Sequence, residues 1–230
     1  MNQDRKNAVF TGVLFIVDDI TSIIGLALYT HLLNDPDFLL KGSGYGNQVI
    51  LGAFFELVAA CLMVGTAIML FPYLRRHSES IAIGYVCFRL FEAVLVVIGT
   101  LSLLSLVTLS QKVASGMVLD MPYLKASDTL FRSVHSWTFI LGPNYMLGIN
   151  TMLYSYSLYK TKLIPRPLAT LGLTGAAFIF ITALLEMFGV FPQLSVWGAI
   201  LAIPVFAYEM SLAVWLIVKG FNLYVIATDN

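Results

Sequence analysis

Charged residues are scarce in this chain. Lys, Arg, Asp and Glu together make 11% of its 230 residues, whereas a water-soluble domain carries about 25%. Neither sign is in excess: 13 basic residues stand against 13 acidic ones, and the formal net charge is zero. With no basic tail or stripe, nucleic acid is not expected as a partner. There are two cysteines, Cys61 and Cys87, both inside apolar stretches. They form neither a disulfide framework nor a metal-ligand spacing. Of the three histidines, His31 and His77 fall in loops away from His135, so no three-His zinc site is expected. Gly-x-Ser-x-Gly and His-Glu-x-x-His are both missing. The glycines of Gly42-Ser43-Gly44-Tyr45-Gly46 lack the Lys-Ser/Thr that completes a phosphate loop. No metal and no cofactor is expected on these grounds.

What the chain has instead is apolar length. Hydrophobic residues make 59% of it and the mean hydropathy is +0.86. Six apolar segments reach the ~20 residues that a helix needs to cross a bilayer. They run at about 8–28, 49–70, 81–108, 133–158, 168–190 and 196–218. Little chain lies outside them, so the expected fold is all-α: one domain over residues 1–230, a polytopic bundle of six transmembrane helices with the lipid bilayer as its partner. The first segment follows Arg5 and Lys6, but Asp18 and Asp19 interrupt it and no small-x-small cleavage site follows. It reads as a retained helix.

Basic residues set the expected orientation. Arg5, Lys6, Arg75, Arg76, Lys160, Lys162, Arg166 and Lys219 fall on one side; Lys41, Lys112, Lys125 and Arg132 fall on the other. The richer side faces the cytoplasm, which puts both termini inside. Tyr29, Trp137 and Trp197 would then belt the outer surface, and Tyr73, Tyr159 and Trp215 the inner one. Span 2 is expected to stop at Phe71-Pro72. Span 3 is longer than needed and should tilt or project. Between spans 3 and 4, Pro122, Tyr123, Leu124, Leu130, Phe131 and Val134 predict a short amphipathic surface helix. Pro143 should kink span 4, with Asn144 the nearest group to satisfy the freed carbonyl. Gly172, Gly175 and Ala176 in span 5 permit close helix approach.

The chemistry-bearing residues lie inside these spans. Arg89 and Glu92 are three apart on span 3 and share a helix face. Each costs about 2.5–3.5 kcal/mol at mid-depth, so both should turn toward other helices. Arg89 is expected to contact Glu92 and an acid of another span, with Glu209 or Glu56 favoured. The pair is either a functional anchor, a structural tie, or an Arg snorkelling to the surface. Asp18, Asp19, Glu56, Glu186 and Glu209 bring the buried acids to six against one Arg. Six carboxylates cannot all be ionised in a dry interior. Either some are protonated helix-bridging donors or they line a wet cavity. Asp18 and Asp19 are about 100° apart on their helix and cannot face one groove equally. His135, at the outer end of span 4, should approach Glu56 and Glu186, as a proton or metal site or, preferably, as an interfacial His. Glu92 with Glu209, and Asp18 with Asn144, fall at matching depths of the two halves, a faint sign of an inverted repeat.

Three stretches carry a family resemblance. One is Arg-x-x-Glu in span 3 (Arg89, Glu92). The second is the start of span 5, Pro165-Arg166-Pro167-Leu168-Ala169 with Gly172. The third is Glu209, Leu212, Ala213, Trp215, Leu216, Lys219, Gly220 and Phe221, reading E-x-x-L-A-x-W-L-x-x-K-G-F. In their order and spacing the chain, roughly from Arg5 to Phe221, resembles the bacterial integral-membrane family known as domain of unknown function 4386. Pro167 departs from it, where that family has an aromatic residue. The resemblance implies a six-span, multi-pass protein of the bacterial plasma membrane. It implies no activity, substrate or cofactor.

Function therefore rests on the residues. The leading expectation is proton-linked transport or sensing of a small, anionic or zwitterionic molecule through a polar cavity formed by Arg89, Glu92, Glu209, Glu56, Asp18, Asp19, Asn144, Glu186 and His135. A ligand or the proton itself would be the partner. The alternatives are a membrane-embedded enzyme using buried carboxylates, less favoured, and a structural or regulatory membrane subunit. A continuous cavity supports the first, and a filled interior with every acid bonded to a helix supports the last.

Overall fold

A backbone in lipid must pair its own polar groups, and a single segment can do so only as a helix. The structure, a computed structural model, describes residues 3–41, 44–116, 120–193 and 195–222, and follows this rule. Its helices are α1 (Gln3–Asn34), the single turn α2 (Phe38–Lys41), α3 (Gly46–Arg75), α4 (Glu79–Ala114), α5 (Met121–Phe139), α6 (Leu147–Thr161), α7 (Arg166–Met187) and α8 (Val196–Val218). A π-helical segment, Ile140–Met146, joins α5 to α6 without a turn. Gly42 and Ser43 of the glycine-rich loop lie outside the described residues.

Among the described residues, five helices, α1, α3, α4, α7 and α8, are long and apolar enough to cross a membrane. The distribution of side chains agrees. Ile68 and Ile203, far along apolar helices, are 62% and 59% exposed, while Arg89 and Glu92 are 3% and 1% exposed. An apolar outside and a charged inside is the arrangement lipid selects. The chain is thus an all-α, multi-pass membrane protein.

The helices close a ring. α1 packs on α3, α3 on α4, α4 on the α5–α6 rod, α6 on α7, α7 on α8, and α8 back on α1. Apolar contacts gather at its two ends. Near the chain termini, Phe15, Leu70, Leu74, Tyr85, Tyr154, Leu158, Tyr208 and Leu212 form one core. At the far end, Tyr29, Leu32, Phe38, Leu103, Leu106 and Leu124 form another. The polar middle is held between them.

Two arginines fasten the ends. Arg5 donates to the carbonyls of Leu216, Ile217 and Val218, the C-terminal turn of α8. Arg132 donates to the carbonyls of Leu33 and Asp35 at 3.0 and 2.9 Å, with Asp128 gripping its Nε at 2.8 Å. Each cation meets the orphan carbonyls and negative pole of a helix end.

Several expectations need correction. α3 does not stop at Phe71-Pro72 but runs on to Arg75. Pro72 removes one hydrogen bond, and the burial of Tyr73 and Leu74 beyond it offsets the loss. The amphipathic stretch leads into span 4 as expected, but without a break: it is the polar first half of α5. Pro143 produces a π-segment, in which the Leu147 N–H reaches back five residues to the Gly142 carbonyl. One inserted residue re-pairs the ladder around the missing N–H. Span 5 ends at Met187 rather than 190, before a turn with Gly189 at φ 71°. Tyr29 and Tyr73 are not belt residues, being 1% exposed each, whereas Trp137 and Trp197 are exposed. Tyr73 stacks on Phe221, ring centroids 4.0 Å apart, and donates to Asp4.

Candidate functional site

The polar middle is built around Arg89. Residues of α4 at the 89, 92 and 96 positions share one face at helical spacing, and that face points into the ring. Arg89 Nη1 donates to Glu92 Oε2 at 3.0 Å, and Nη2 donates to Asp18 Oδ2 at 2.7 Å. Asn150 of α6 donates to the same Glu92 oxygen. The interior placement is as expected; the partner from another span is not. Asp18 on α1 takes the place expected of Glu209 or Glu56. Both guanidinium ends are therefore occupied by carboxylates, and snorkelling is ruled out by the burial of all three side chains.

Beside this triad lies a cavity of about 190 Å³. Its polar lining is Asp18, Asp19, Ser22, Glu56, Arg89, Glu92 and Glu209, and its apolar walls include Leu26, Met63, Val96, Phe139, Pro143 and Leu147. Asp18 and Asp19 both reach it, but unequally. Asp18 is buried in the ion pair, while Asp19 is half-buried. Glu209 of α8 is 5% exposed and its Oε1 has no hydrogen-bond partner among the described residues; the same holds for Asp18 Oδ1, Asp19 Oδ2 and Arg89 Nε. Buried polar atoms without partners are rare in native proteins, and four of them converge here.

A layer of aromatics belongs to the core beside α1 and α8. Tyr85, Tyr154 and Tyr208 are buried, with Tyr154 edge-on to Tyr85 at 5.3 Å and stacked on Tyr208 at 5.8 Å. Ser155 bonds the Tyr208 hydroxyl at 2.9 Å. Glu56 accepts from the Tyr29 hydroxyl at 2.9 Å. Gly25 makes room for this, since a Cβ there would lie 3.0 Å from Glu56 Oε1. A second, small cavity of about 20 Å³ follows, lined by Tyr29, Glu56, Thr100, His135, Thr138 and Pro143. It has room for about one water. His135 is buried edge-on against Tyr29, ring centroids 5.4 Å apart, so it is not the interfacial histidine expected.

Two expected members sit apart from the cluster. Asn144 donates to Glu186 at 2.7 Å, a tie between the π-segment and α7 that lines neither cavity. Asn144 thus does not serve the carbonyl freed by Pro143, and Glu186 does not join His135. The π-bulge explains both: it rotates the residues after Pro143 and turns Asn144 outward to α7. Sequence reasoning overlooked Asn150, Tyr29, Ser22 and the apolar walls. Asn150 is a mid-span amide, and Ser22 and Leu26 follow Asp18 at four-residue steps, so both signals were present.

No curated protein and no solved structure matches the chain. A family model described as a domain of unknown function, DUF4386, matches residues 10–220. The match spans the triad, the cavity and the Asn144–Glu186 tie, so this membrane chain belongs to the DUF4386 family.

Proposed function

We propose that the chain crosses the bacterial plasma membrane six times as one domain, with both termini in the cytoplasm, and carries out proton-linked transport or sensing of a small molecule through the central cavity. The α5–α6 rod supplies the sixth crossing: its polar first half lies outside the lipid, and its apolar remainder spans through the π-segment. One observation carries the functional reading. Asp19 and Glu209 line a space of about 190 Å³, and each keeps one carboxyl oxygen without a hydrogen-bond partner among the described residues; the space is large enough for several waters or a small solute. A subunit with a purely structural interior would have every acid tied to a neighbouring helix and no such space. The proton link is supported by the line of acids from Glu209 through Asp18 to Glu56, continued by the small cavity to His135. Carboxyls separated by single waters pass protons.

The test uses the full chain in liposomes loaded with a pH-sensitive dye. Small amines, amino acids and carboxylates are added outside in turn, and binding is followed in parallel. At least one class is expected to shift internal pH, and Glu209→Gln to abolish the shift. Binding without a pH change assigns the protein to sensing. No binding and no pH response to any class contradicts the proposal.

A further inference from the structure

We infer that the central cavity takes a small organic monocation, an amine with a short apolar chain, whose ammonium is held by Asp19 and Glu209. This deepens the proposed function and rests on the cavity being a binding site. Sequence alone pointed to an anionic or zwitterionic ligand, because a lone intramembrane Arg suggests an anion anchor. The geometry removes that anchor. Both Nη atoms of Arg89 are taken, one by Asp18 and one by Glu92. One cation shared by two carboxylates leaves no net positive charge to recruit an anion.

What remains open to a ligand is mostly acidic: three carboxyl oxygens stand against the one Arg89 Nε–H. Glu209 is 95% buried, lines the cavity and has Oε1 unpartnered among the described residues. Asp19 Oδ2 and Asp18 Oδ1 are in the same condition. An ammonium donates three hydrogen bonds and accepts none, which matches acceptors that lack donors. An incoming carboxylate would meet mainly other acids, and a molecule without donors would leave their oxygens unpaired.

The rest of the lining sets the ligand's other end. Leu26, Met63, Val96, Phe139 and Leu147 form an apolar wall in the same cavity. A bare metal cation wants oxygen ligands around its whole circumference, and this wall offers none. Phe139 and Met63 suit a hydrocarbon chain. The volume of about 190 Å³ admits a chain of a few carbons with its ammonium and excludes a drug-sized cation, for which pockets are ~300 Å³ or more. Ile23 lies on the rim and is more than half exposed, so the cavity meets the outer surface of α1 and an amphiphilic amine has a route in from the lipid side.

The experiment measures binding to the full chain in lipid nanodiscs with four matched probes: butylammonium chloride, sodium butyrate, butanol and sodium chloride. Butylammonium is expected to bind at least about tenfold more tightly than the other three, a factor of ten corresponding to one interaction of ordinary strength. Asp19→Asn and Glu209→Gln, each close in shape to the native residue, are each expected to weaken butylammonium by about tenfold or more with little change for butanol. Equal or tighter binding of butyrate, butanol or sodium overturns the inference while leaving a small-molecule site in place. Failure of all four probes on folded wild-type protein overturns this inference, and the broader amine, amino-acid and carboxylate panel then decides the function separately. Undiminished butylammonium binding in both variants overturns the assignment to Asp19 and Glu209. If a variant fails to fold, the probe comparison on wild-type protein decides alone.

Discussion

Arg89→Ala is expected to lower the stability of the folded chain by about 3–5 kcal/mol, the usual cost of stripping one partner from a buried ion pair. The expectation follows from the burial and geometry of the triad. Arg89, Asp18 and Glu92 are each at most 5% exposed, and the contacts are 2.7 and 3.0 Å. Arg stays charged in proteins, so it cannot escape desolvation by losing its proton. Its removal leaves two buried carboxylates without their cation. Neutralising them should undo most of the damage. The triple variant Arg89→Ala, Asp18→Asn, Glu92→Gln is expected to recover at least half of the lost stability, with Asn150 still able to bond the new amide. Melting midpoints of wild type, single and triple variants in the same detergent check this. Near-equal midpoints for wild type and Arg89→Ala would show that the triad does not organise the bundle.

The second large effect concerns packing. Gly175 on α7 lies against the backbone of α8, and a Cβ there would sit 2.8 Å from both N and Cα of Val205. Backbone cannot rotate aside as a side chain can, so α7 and α8 would have to move apart. Gly172, one turn earlier, faces the Tyr208 ring and the Ser155 hydroxyl equally closely. Helices in lipid associate largely through such close contact. Gly175→Leu is expected to cost more than ~3 kcal/mol, beyond the common range for overpacking, and to leave little folded protein. Gly84→Ala is the control. Its Cβ would meet only Leu153 Cδ1 at 3.6 Å, an ordinary contact, and a mid-helix Gly→Ala gains roughly 0.5–1 kcal/mol. A Gly175→Leu protein that melts with the wild type would refute the packing of α7 on α8.

The helices could be read from the sequence because lipid leaves the backbone few options. Apolar length alone located α1, α3, α4, α7 and α8, with ends displaced by up to six residues. Their ends were less legible, since Pro72 and the start of α5 depend on what Tyr73, Leu74 and Leu124 bury against. The inward turn of Arg89 and Glu92 was also legible, because their i, i+3 spacing and cost admit little else. The choice of Asp18 over Glu209 was not. It depends on the rotation of α1 against α4, which the one-turn steps of Asp18, Ser22 and Leu26 hint at without fixing. Asn144 shows the opposite case. A proline in a span was read as a kink, and a kink leaves the next residue close to the broken ladder. The chain accommodates the proline with a π-bulge, and Asn144 bonds Glu186. His135 was placed near Glu56 correctly, but its burial against Tyr29 needed the tyrosine to leave the surface belt, which single-residue preferences do not foretell.

The central claim is a division of labour among the acids: Asp18 and Glu92 neutralise Arg89, while Asp19 and Glu209 are free to act. A hydrophobic carbodiimide, which enters the membrane and attacks accessible carboxyl groups, measures this division directly. After brief exposure of the full chain in nanodiscs, peptide mass spectrometry locates the adducts. The account predicts adducts on Glu209 and Asp19, slowed by butylammonium, with Asp18 and Glu92 unmodified. Adducts on Asp18 or Glu92, with Glu209 and Asp19 intact, would contradict it.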